Sequence, residues 1–253
     1  AVRAWGLGEP VRLPLRSEAD WRRMIANYWG LCSLVDTYAG QILDTLEECG
    51  LADNTIVVYT SDHGDMMGSH RLLAKCVQFE EAVRVPLLIR LPGQRQSRHI
   101  GGPVSQIDLV PTLLDLTGQP VPDHLQGRSL RPVLADPTLE PRESVFIEWN
   151  GLNNGFGDVI GQAMVPAPML EIATREEAIA AIGDPVRTVV TPDGWKFNCS
   201  PRGEHELYDL RRDPLETRNL ATQPEMRPLM ARLADEIRRW QARTGDTVAL
   251  PGF

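Results

Sequence analysis

The sequence predicts an α/β fold, with a layered sheet in the first half of the chain and a smaller antiparallel-sheet-plus-helix subdomain after it. Two observations carry this prediction. Up to Pro137, short apolar runs alternate with segments of helical periodicity, which is typical of layered α/β folds. Beyond that residue, short strand-like runs follow one another through turns until a final helix. We therefore divide the chain into residues 1–137 and 138–253.

The first predicted element, after an irregular lead-in of residues 1–17, is a long helix over residues 18–49. Its apolar residues recur at steps of three and four, which places them on one face: Trp21, Ile25, Tyr28, Cys32, Val35, Tyr38, Ile42 and Leu46. Gly30 is the place where this helix would break, and Gly50 is a suitable stop.

Two strands and a second helix follow. Residues 55–60 form a nearly continuous, β-branched apolar run, which is typical of a strand covered on both sides, as in a parallel sheet. Residues 85–90 predict the next strand, which ends at Pro92-Gly93. An apolar stripe over residues 106–117 predicts the helix.

The second half predicts a small antiparallel sheet. Its strands are predicted at residues 144–149, 186–191, 195–200 and 206–210. The turn Thr191-Pro192-Asp193-Gly194 joins the middle two as a hairpin. Residues 150–168 hold four glycines without a clear period, and we interpret them as a mobile loop. Residues 224–244 predict the last helix.

Composition excludes several classes of protein. The 253 residues carry a net charge of −8, which argues against a broad nucleic-acid-binding surface. No apolar run approaches the roughly 18–20 residues of a membrane helix, so no membrane partner is expected. Four scattered cysteines without a C-x-x-C pair argue against a disulfide scaffold and favour a reducing, cytoplasmic compartment. The chain does not begin with Met, so we expect a missing N-terminal part, and a removed signal peptide stays open.

The densest group of chemically active side chains follows the first strand, beginning with Ser61-Asp62-His63-Gly64-Asp65 and continuing to His70 and Lys75. Ligands bind beyond the carboxyl ends of strands in open α/β sheets. An ionised Asp62 and a neutral His63 are both metal ligands, which Asp65 and His70 could support. Lys75 adds a compact positive charge for an oxyanion. The pattern predicts a site for a metal ion and a phosphate- or sulfate-like group.

A plainer interpretation stays open at this point. Asp62 would then cap a turn, while His63 and His70 would be ordinary surface histidines. Two adjacent ligands are also too few for a complete metal site.

Longer motifs connect this region to a known family. The run Thr-Ser-Asp-His-Gly-Asp-Met-Met-Gly-Ser-His at residues 60–70, followed by Lys75 and residues 79–86, resembles the sulfatase family. That family lies in the alkaline-phosphatase-like superfamily and includes the phosphonate monoester hydrolases. Similar motifs continue in family order at residues 107–114, 127–130, 206–210, 213–214 and 219–220, so the resemblance spans about residues 28–221.

The resemblance implies roles for individual residues. Asp62 and His63 match the later pair of metal ligands, and the histidine indicates the Asp-His branch, which contains sulfatases and phosphonate monoester hydrolases. Lys75 matches the lysine that contacts an oxygen of the bound group, and His70 would support the site. Manganese, calcium and magnesium are all admissible, and a mixed Asp-His pair slightly favours manganese.

The family's nucleophile is a formylglycine made from a C-x-P-x-R or S-x-P-x-R motif nearer the N-terminus. Cys199-Ser200-Pro201-Arg202-Gly203 is a near miss with the arginine one place early, and we interpret it as a strand end entering a turn. The resemblance therefore implies that this chain is the C-terminal portion of such an enzyme, with the formylglycine in a missing N-terminal part.

The expected function is a metal-dependent hydrolase of sulfate or phosphonate/phosphate monoesters, active in its full-length form and inactive as this chain alone. Its partner would be a small-molecule ester, and a homo-oligomer stays open. One alternative is a non-catalytic, sulfatase-like binding or assembly module. Another is a relative that uses an unmodified Thr or Ser nucleophile.

Overall fold

The computed structural model describes residues 17–72, 74–136, 138–141, 143–151 and 174–253. They divide into two compact units, one up to Arg98 and one from His99 onward. The division predicted after residue 137 is a separate, sequence-based boundary and stays a prediction. The predicted lead-in of residues 1–17 and loop of residues 150–168 lie almost wholly outside the described residues.

The first unit begins with the long helix α1 (Glu18–Glu48), which is continuous through Gly30. Ser17 starts it with a capping box, because its hydroxyl accepts a hydrogen bond from the Asp20 backbone N–H at 3.2 Å while the Asp20 carboxylate accepts one from the Ser17 backbone N–H at 2.9 Å. The remaining elements of this unit are a 3-10 turn (Ala52–Asn54), β1 (Val57–Thr60), a 3-10 turn (Ser69–Arg71), α2 (Glu80–Val83) and β2 (Leu87–Arg90).

Strands β1 and β2 form a two-stranded antiparallel sheet, with Val57 opposite Arg90 and Thr60 opposite Leu87. The cross-strand neighbours Tyr59 and Leu88 are both exposed. The expectation of a strand covered on both sides, as in a parallel sheet, is therefore wrong for β1 as the structure describes it. The connection over residues 61–86 is long enough for either strand direction, so the apolar run and the connection length do not decide the pairing.

The second unit contains a four-stranded antiparallel sheet in the order β3-β4-β5-β6, which confirms the predicted small sheet. Its elements are a 3-10 turn (Gln106–Asp108), α3 (Leu109–Leu116), α4 (Arg131–Ala135), β3 (Val145–Glu148), α5 (Arg175–Ile182), β4 (Arg187–Val190), β5 (Trp195–Cys199), β6 (Glu206–Asp209), a 3-10 turn (Pro224–Met226) and α6 (Arg227–Thr244). The sequence analysis missed α5, although its capping box of Thr174 and Glu177 was a readable signal.

The main core lies between this sheet and α6. Inward-facing residues of three strands, among them Val189, Phe197 and Leu207, pack with one face of the helix, formed by Met230, Leu233, Ile237 and Trp240. These four helical residues are spaced by three, four and three positions, as an amphipathic helix requires. The predicted last helix is confirmed, with its α-helical part beginning at Arg227 after a 3-10 turn.

Two buried ion pairs reinforce the second unit. Lys196 Nζ on β5 lies 2.9 Å from Glu216 Oε1, and both side chains are fully buried. Arg187 on β4 forms a bidentate ion pair with Asp246. Its Nε donates to Asp246 Oδ2 at 2.9 Å and its Nη2 donates to Asp246 Oδ1 at 2.8 Å. Both pairs tie a sheet strand to a segment that follows it in the chain. Across the described part of the chain, no helix combines the length and apolarity needed to cross a bilayer.

Candidate metal and oxyanion site

Asp62 and His63 leave the end of β1 with their side chains directed toward each other. Asp62 Oδ1 accepts a hydrogen bond from the His63 backbone N–H at 2.9 Å, and Asp62 Oδ2 lies 3.4 Å from His63 Nε2. The Asp62 carboxylate is exposed and the His63 ring is partly exposed. The His63 backbone N–H is the main cause that holds the pKa of Asp62 below its ordinary value, so the carboxylate is ionised at neutral pH.

Backbone contacts fix which nitrogen of His63 can bind a metal. Its Nδ1 lies 2.8 Å from the carbonyl oxygen of Gly64, which can only accept, so Nδ1 carries the proton in this contact. In the neutral ring, Nε2 then keeps its lone pair on the side of Asp62 Oδ2. Metal-binding histidines are usually held in this way, through a hydrogen bond from the other ring nitrogen.

The spacing of the two ligand atoms fits one divalent cation. Asp62 Oδ2 and His63 Nε2 are 3.4 Å apart, which is close enough for both atoms to bind the same ion. Among the described residues, no group of three or more His, Cys, Asp or Glu side chains could hold a metal. The pair therefore supplies two ligands, and the others would come from water, substrate or residues outside the described part.

Asp65 has a different, local role. Its Oδ1 accepts a hydrogen bond from the Met67 backbone N–H at 2.9 Å, which closes a tight turn. Met67 has a φ of 43°, in the left-handed region. Asp65 therefore stabilises the turn that follows the ligand pair.

Backbone hydrogen bonds fold the segment after His63 back on itself. The N–H of Gly64 bonds to the Ala82 carbonyl at 2.8 Å, and the N–H of Met66 bonds to the Ala74 carbonyl at 2.7 Å. Lys75 directly follows Ala74, so the loop brings Lys75 back beside Met66. Met66 is three residues after His63. Lys75 is exposed there.

His70 braces this loop from inside. It has a φ of 51° and stacks on Phe79, with ring centroids 3.8 Å apart and planes inclined by 9°. The stack joins the middle of the loop to its return arm. The contacts that the structure gives His70 are packing contacts. Its predicted role in supporting the site stays a prediction.

Left-handed backbone is concentrated in the same loop. Four non-glycine residues with positive φ occur within ten positions: Met67, His70, Ala74 and Cys76. Each such residue costs on the order of 1–3 kcal/mol, and such residues cluster at functional sites. Lys75 lies between two of them, so its backbone position is tightly specified.

Two glycines allow the loop to pack closely. A Cβ at Gly64 would collide with the carbonyl oxygen of Glu81. A Cβ at Gly68, where φ is 104°, would lie 2.9 Å from the Trp21 ring of α1. The sequence analysis included both glycines in the motif at residues 60–70. It did not connect Trp21 with this loop, because Trp21 lies far earlier in the chain and no local pattern links the two.

Cys199 is fully buried in the core on β5. Burial raises the pKa of its thiol to about 12, so the thiol is neutral as well as inaccessible. The chain turns directly after this strand. These facts support the interpretation of Cys199–Arg202 as a strand end rather than a nucleophile motif.

Comparison with known proteins gives a consistent result. The family model described as Sulfatase matches residues 9–119. Arylsulfatase K of Danio rerio is 32% identical over 211 residues, which cover 82% of this chain and 35% of that protein. The chain thus spans little more than a third of the length of this relative.

Solved structures agree with the sequence matches. A putative sulfatase from Bacteroides thetaiotaomicron superposes with a TM-score of 0.74 at 27% identity, over 94% of this chain and 47% of that one. The phosphonate monoester hydrolase of Agrobacterium radiobacter superposes with a TM-score of 0.69 at 28% identity, over 90% of this chain and 43% of that one. With its α/β architecture and its motifs in family order, the chain belongs to the sulfatase family, within the alkaline-phosphatase-like superfamily.

Proposed function

We propose that this chain forms the C-terminal part of a metal-dependent hydrolase of sulfate or phosphonate/phosphate monoesters. The observation that carries the proposal is the pair Asp62 Oδ2 and His63 Nε2, 3.4 Å apart at the end of β1, with the His63 ring oriented by the Gly64 carbonyl. The family match supports the hydrolase class.

Each residue of the site has a physical role in this proposal. A divalent cation held by Asp62 and His63 would polarise the ester oxygens and offset negative charge. Asp62 supplies an ionised oxygen ligand, and His63 supplies a neutral nitrogen whose orientation is fixed by Gly64. Lys75 supplies a compact positive charge to an oxygen of the transferred group. Manganese, calcium and magnesium all suit such a pair, and the nitrogen ligand favours manganese.

The proposed substrate is a small anionic monoester. The relatives are named as an arylsulfatase and as a phosphonate monoester hydrolase, so aryl sulfates and phosphonate monoesters are the two classes to compare. The attacking oxygen would come from a formylglycine outside these 253 residues, because the sequence holds neither C-x-P-x-R nor S-x-P-x-R. The proposed enzyme therefore needs residues beyond this chain.

A second candidate function is a non-catalytic binding or assembly module of the same fold. The observation that favours it is the absence of a nucleophile motif from the 253 residues. Under this alternative, Asp62 and His63 bind an ion or cap the turn without supporting turnover.

The deciding experiment uses the natural protein that contains this chain, purified from the cells that make it. After chelation, manganese, calcium or magnesium is restored and kcat/KM is measured with 4-nitrophenyl sulfate and with 4-nitrophenyl phenylphosphonate. We expect metal-dependent turnover of at least one ester, and its loss in Asp62→Asn and His63→Ala. Metal-independent turnover would reject the proposed metal dependence, whereas no turnover with any of the three metals would reject the hydrolase and favour the module.

A further inference from the structure

An open groove of about 540 Å³ lies between strand β3 and the C-terminal half of helix α6, and we call it the β3–α6 groove. Its volume falls within the roughly 300–1,000 Å³ that is typical of sites for small organic molecules. The residues that line it all belong to the second unit, and none of them belongs to the candidate metal and oxyanion site. The groove is therefore a separate feature of the molecule.

Two exposed arginines of α6 line this groove. Arg239 and Arg243 are four residues apart, which places them on one face of the helix, about 6 Å apart along its axis. Within the described part of the chain, neither side chain has an acidic partner at ion-pair distance, whereas Arg238 pairs with Asp235. Both guanidinium groups are therefore available to a ligand, and their forked donors match the oxygens of a sulfate or phosphate group.

The acidic residues of the lining do not cancel this positive charge. Glu143 forms an ion pair with Arg128, so its carboxylate is already compensated. Glu236 is the other acidic residue of the lining, and it is half-buried. With Arg128 included, three arginines face two glutamates, which leaves a net charge of +1 on a chain whose net charge is −8. An anion is the complementary ligand for such a local positive site.

The remaining lining residues indicate what else the ligand contains. Phe146 supplies apolar surface, and its ring is fixed by stacking on Trp240 at a centroid distance of 5.2 Å. Ala242 lies on the helix side of the same groove. An ionised Glu236 carboxylate accepts hydrogen bonds and cannot donate them, while the Ser144 hydroxyl does both. Hydroxyl groups of a ligand would satisfy Glu236, whereas a bare inorganic anion would only add a like charge beside it.

We propose that the β3–α6 groove binds a sulfate or phosphate monoester of a small hydroxylated molecule, such as a monosaccharide. The oxyanion group lies between Arg239 and Arg243, the carbon skeleton packs on Phe146, and a hydroxyl group donates to Glu236. The proposal concerns ligand binding in the second unit, and it goes beyond the proposed hydrolase activity.

Calorimetric titration of the natural protein that contains this chain tests the proposal. A chelator is present to suppress metal-dependent turnover, and the probes are glucose 6-sulfate and glucose 6-phosphate. We expect at least one ester to bind with a Kd below about 1 mM, at least about tenfold more tightly than glucose or inorganic phosphate. The tighter ester identifies the preferred oxyanion group. Failure of both esters to bind, or inorganic phosphate binding as tightly as the esters, overturns the proposal.

A charge-matched pair of double variants locates the site. Arg239→Gln/Arg243→Gln should weaken binding at least about tenfold, because it removes hydrogen bonds to a charged group. The control, Arg227→Gln/Arg232→Gln, removes the same charge from exposed positions of α6 outside the groove lining and should bind like the wild type. Arg239→Lys/Arg243→Lys keeps the charge without the fork and should bind with intermediate affinity. All three should melt close to the wild type, since the changed residues are exposed.

Wild-type affinity in Arg239→Gln/Arg243→Gln would place the ligand elsewhere and overturn the proposal. Equal weakening in the control would overturn it too, since overall charge and not the groove would then decide binding. These measurements do not depend on turnover. A protein that binds the ester in the groove but hydrolyses no ester refutes the proposed function alone, and a hydrolase with an unresponsive groove refutes this inference alone.

Discussion

Only two of the 26 basic residues are lysines, and they occupy opposite environments: Lys75 is exposed in the loop after the ligand pair, and Lys196 is fully buried beside Glu216. Arginine serves at every other basic position. A guanidinium is planar and forked, whereas an ammonium is a compact point charge. The two lysines therefore mark places where the smaller cation is used, one facing solvent and one filling a closed space.

Replacing Lys75 with Ala should lower kcat/KM of the natural protein by about 10²–10³, as for the loss of one preorganised oxyanion donor. Stability should change by less than about 0.5 kcal/mol, because the side chain is exposed. Lys75→Arg should restore part of the rate, since charge returns without the ammonium geometry. Kinetics on an aryl sulfate and a phosphonate monoester provide the check. Wild-type rates for Lys75→Ala on both would place the oxyanion contact on another residue.

Asp62→Ala should weaken metal binding more than Asp65→Ala does. Asp62 presents an oxygen beside His63 Nε2, whereas Asp65 Oδ1 is bonded to the Met67 backbone N–H. Loss of Asp62 deletes a ligand, and loss of a supporting residue typically costs about 10–100-fold in affinity. Calorimetric titration of the chelated natural protein with manganese measures both. Equal or reversed losses would show that Asp62 is not the ligand.

The members of the candidate site could be proposed from the sequence because they are close together in the chain. Asp62 and His63 follow a readable strand, and Lys75 comes a short loop later. The bracing contact of Trp21 with Gly68 was not predictable, because these residues are far apart in sequence and no local pattern joins them. The orientation of the His63 ring toward the Gly64 carbonyl is likewise a three-dimensional contact that no sequence pattern shows.

At the scale of elements, local patterns located α1, the β4–β5 hairpin and α6 to within one to three residues. Each has a local cause: a capping box at Ser17, a Pro-Asp-Gly turn, and a continuous apolar face. The antiparallel pairing of β1 with β2 depends on contacts between distant residues. The apolar run at residues 55–60 correctly predicted a strand, but it did not show that the strand would pair antiparallel.

The buried pair on β5 makes a testable contribution to the second unit. Lys196→Met should destabilise the chain by about 3–5 kcal/mol, because it leaves the Glu216 carboxylate buried without its cation. The double variant Lys196→Met/Glu216→Met should recover most of that loss. Lys75→Met makes the same chemical change at an exposed site and should shift stability by less than about 0.5 kcal/mol. Urea denaturation ranks the three, and a Lys196→Met variant no weaker than Lys75→Met would show that the pair carries no stability.

The ion pair between Arg187 on β4 and Asp246 after α6, called the Asp246 clamp below, should lose its contribution to stability in acid. Hydrogen bonds from the Arg187 side chain are the main cause that lowers the pKa of Asp246 below its ordinary value of about 4. A depressed pKa gives stability that is present above the ordinary value and lost as pH falls through the folded-state value. Asp246→Asn should therefore destabilise the chain at pH 7, and its difference from wild type should shrink below about pH 4.

Denaturation of both proteins at pH 7, 5 and 3 tests the Asp246 clamp. Asp235→Asn is the matched control, since Asp235 pairs with Arg238 on the exposed surface of α6. A gap between Asp246→Asn and wild type that stays constant with pH would mean that the clamp does not depend on ionisation of Asp246.

At the scale of the whole molecule, the two units differ in how completely they bury their apolar residues. The second unit closes its core between a four-stranded sheet and α6. The first unit leaves apolar side chains of α1 exposed, among them Val35, Tyr38 and Ile42, and supplies two candidate metal ligands within the described residues. Within the described residues, the first unit therefore holds only part of the ligand set that a metal site needs.

The last prediction follows from this. The 253-residue chain alone should hydrolyse aryl sulfates and phosphonate monoesters at least about 10³-fold more slowly than the complete protein, since losing a nucleophile alone can cost on the order of 10⁶. Initial rates with each metal measure this. Lysine-selective acetylation followed by peptide mapping is the folding control: Lys75 should react and the buried Lys196 should stay protected. With that control satisfied, metal-dependent turnover that disappears in Lys75→Ala would show that the chain carries a complete site, with a nucleophile that the family pattern does not identify.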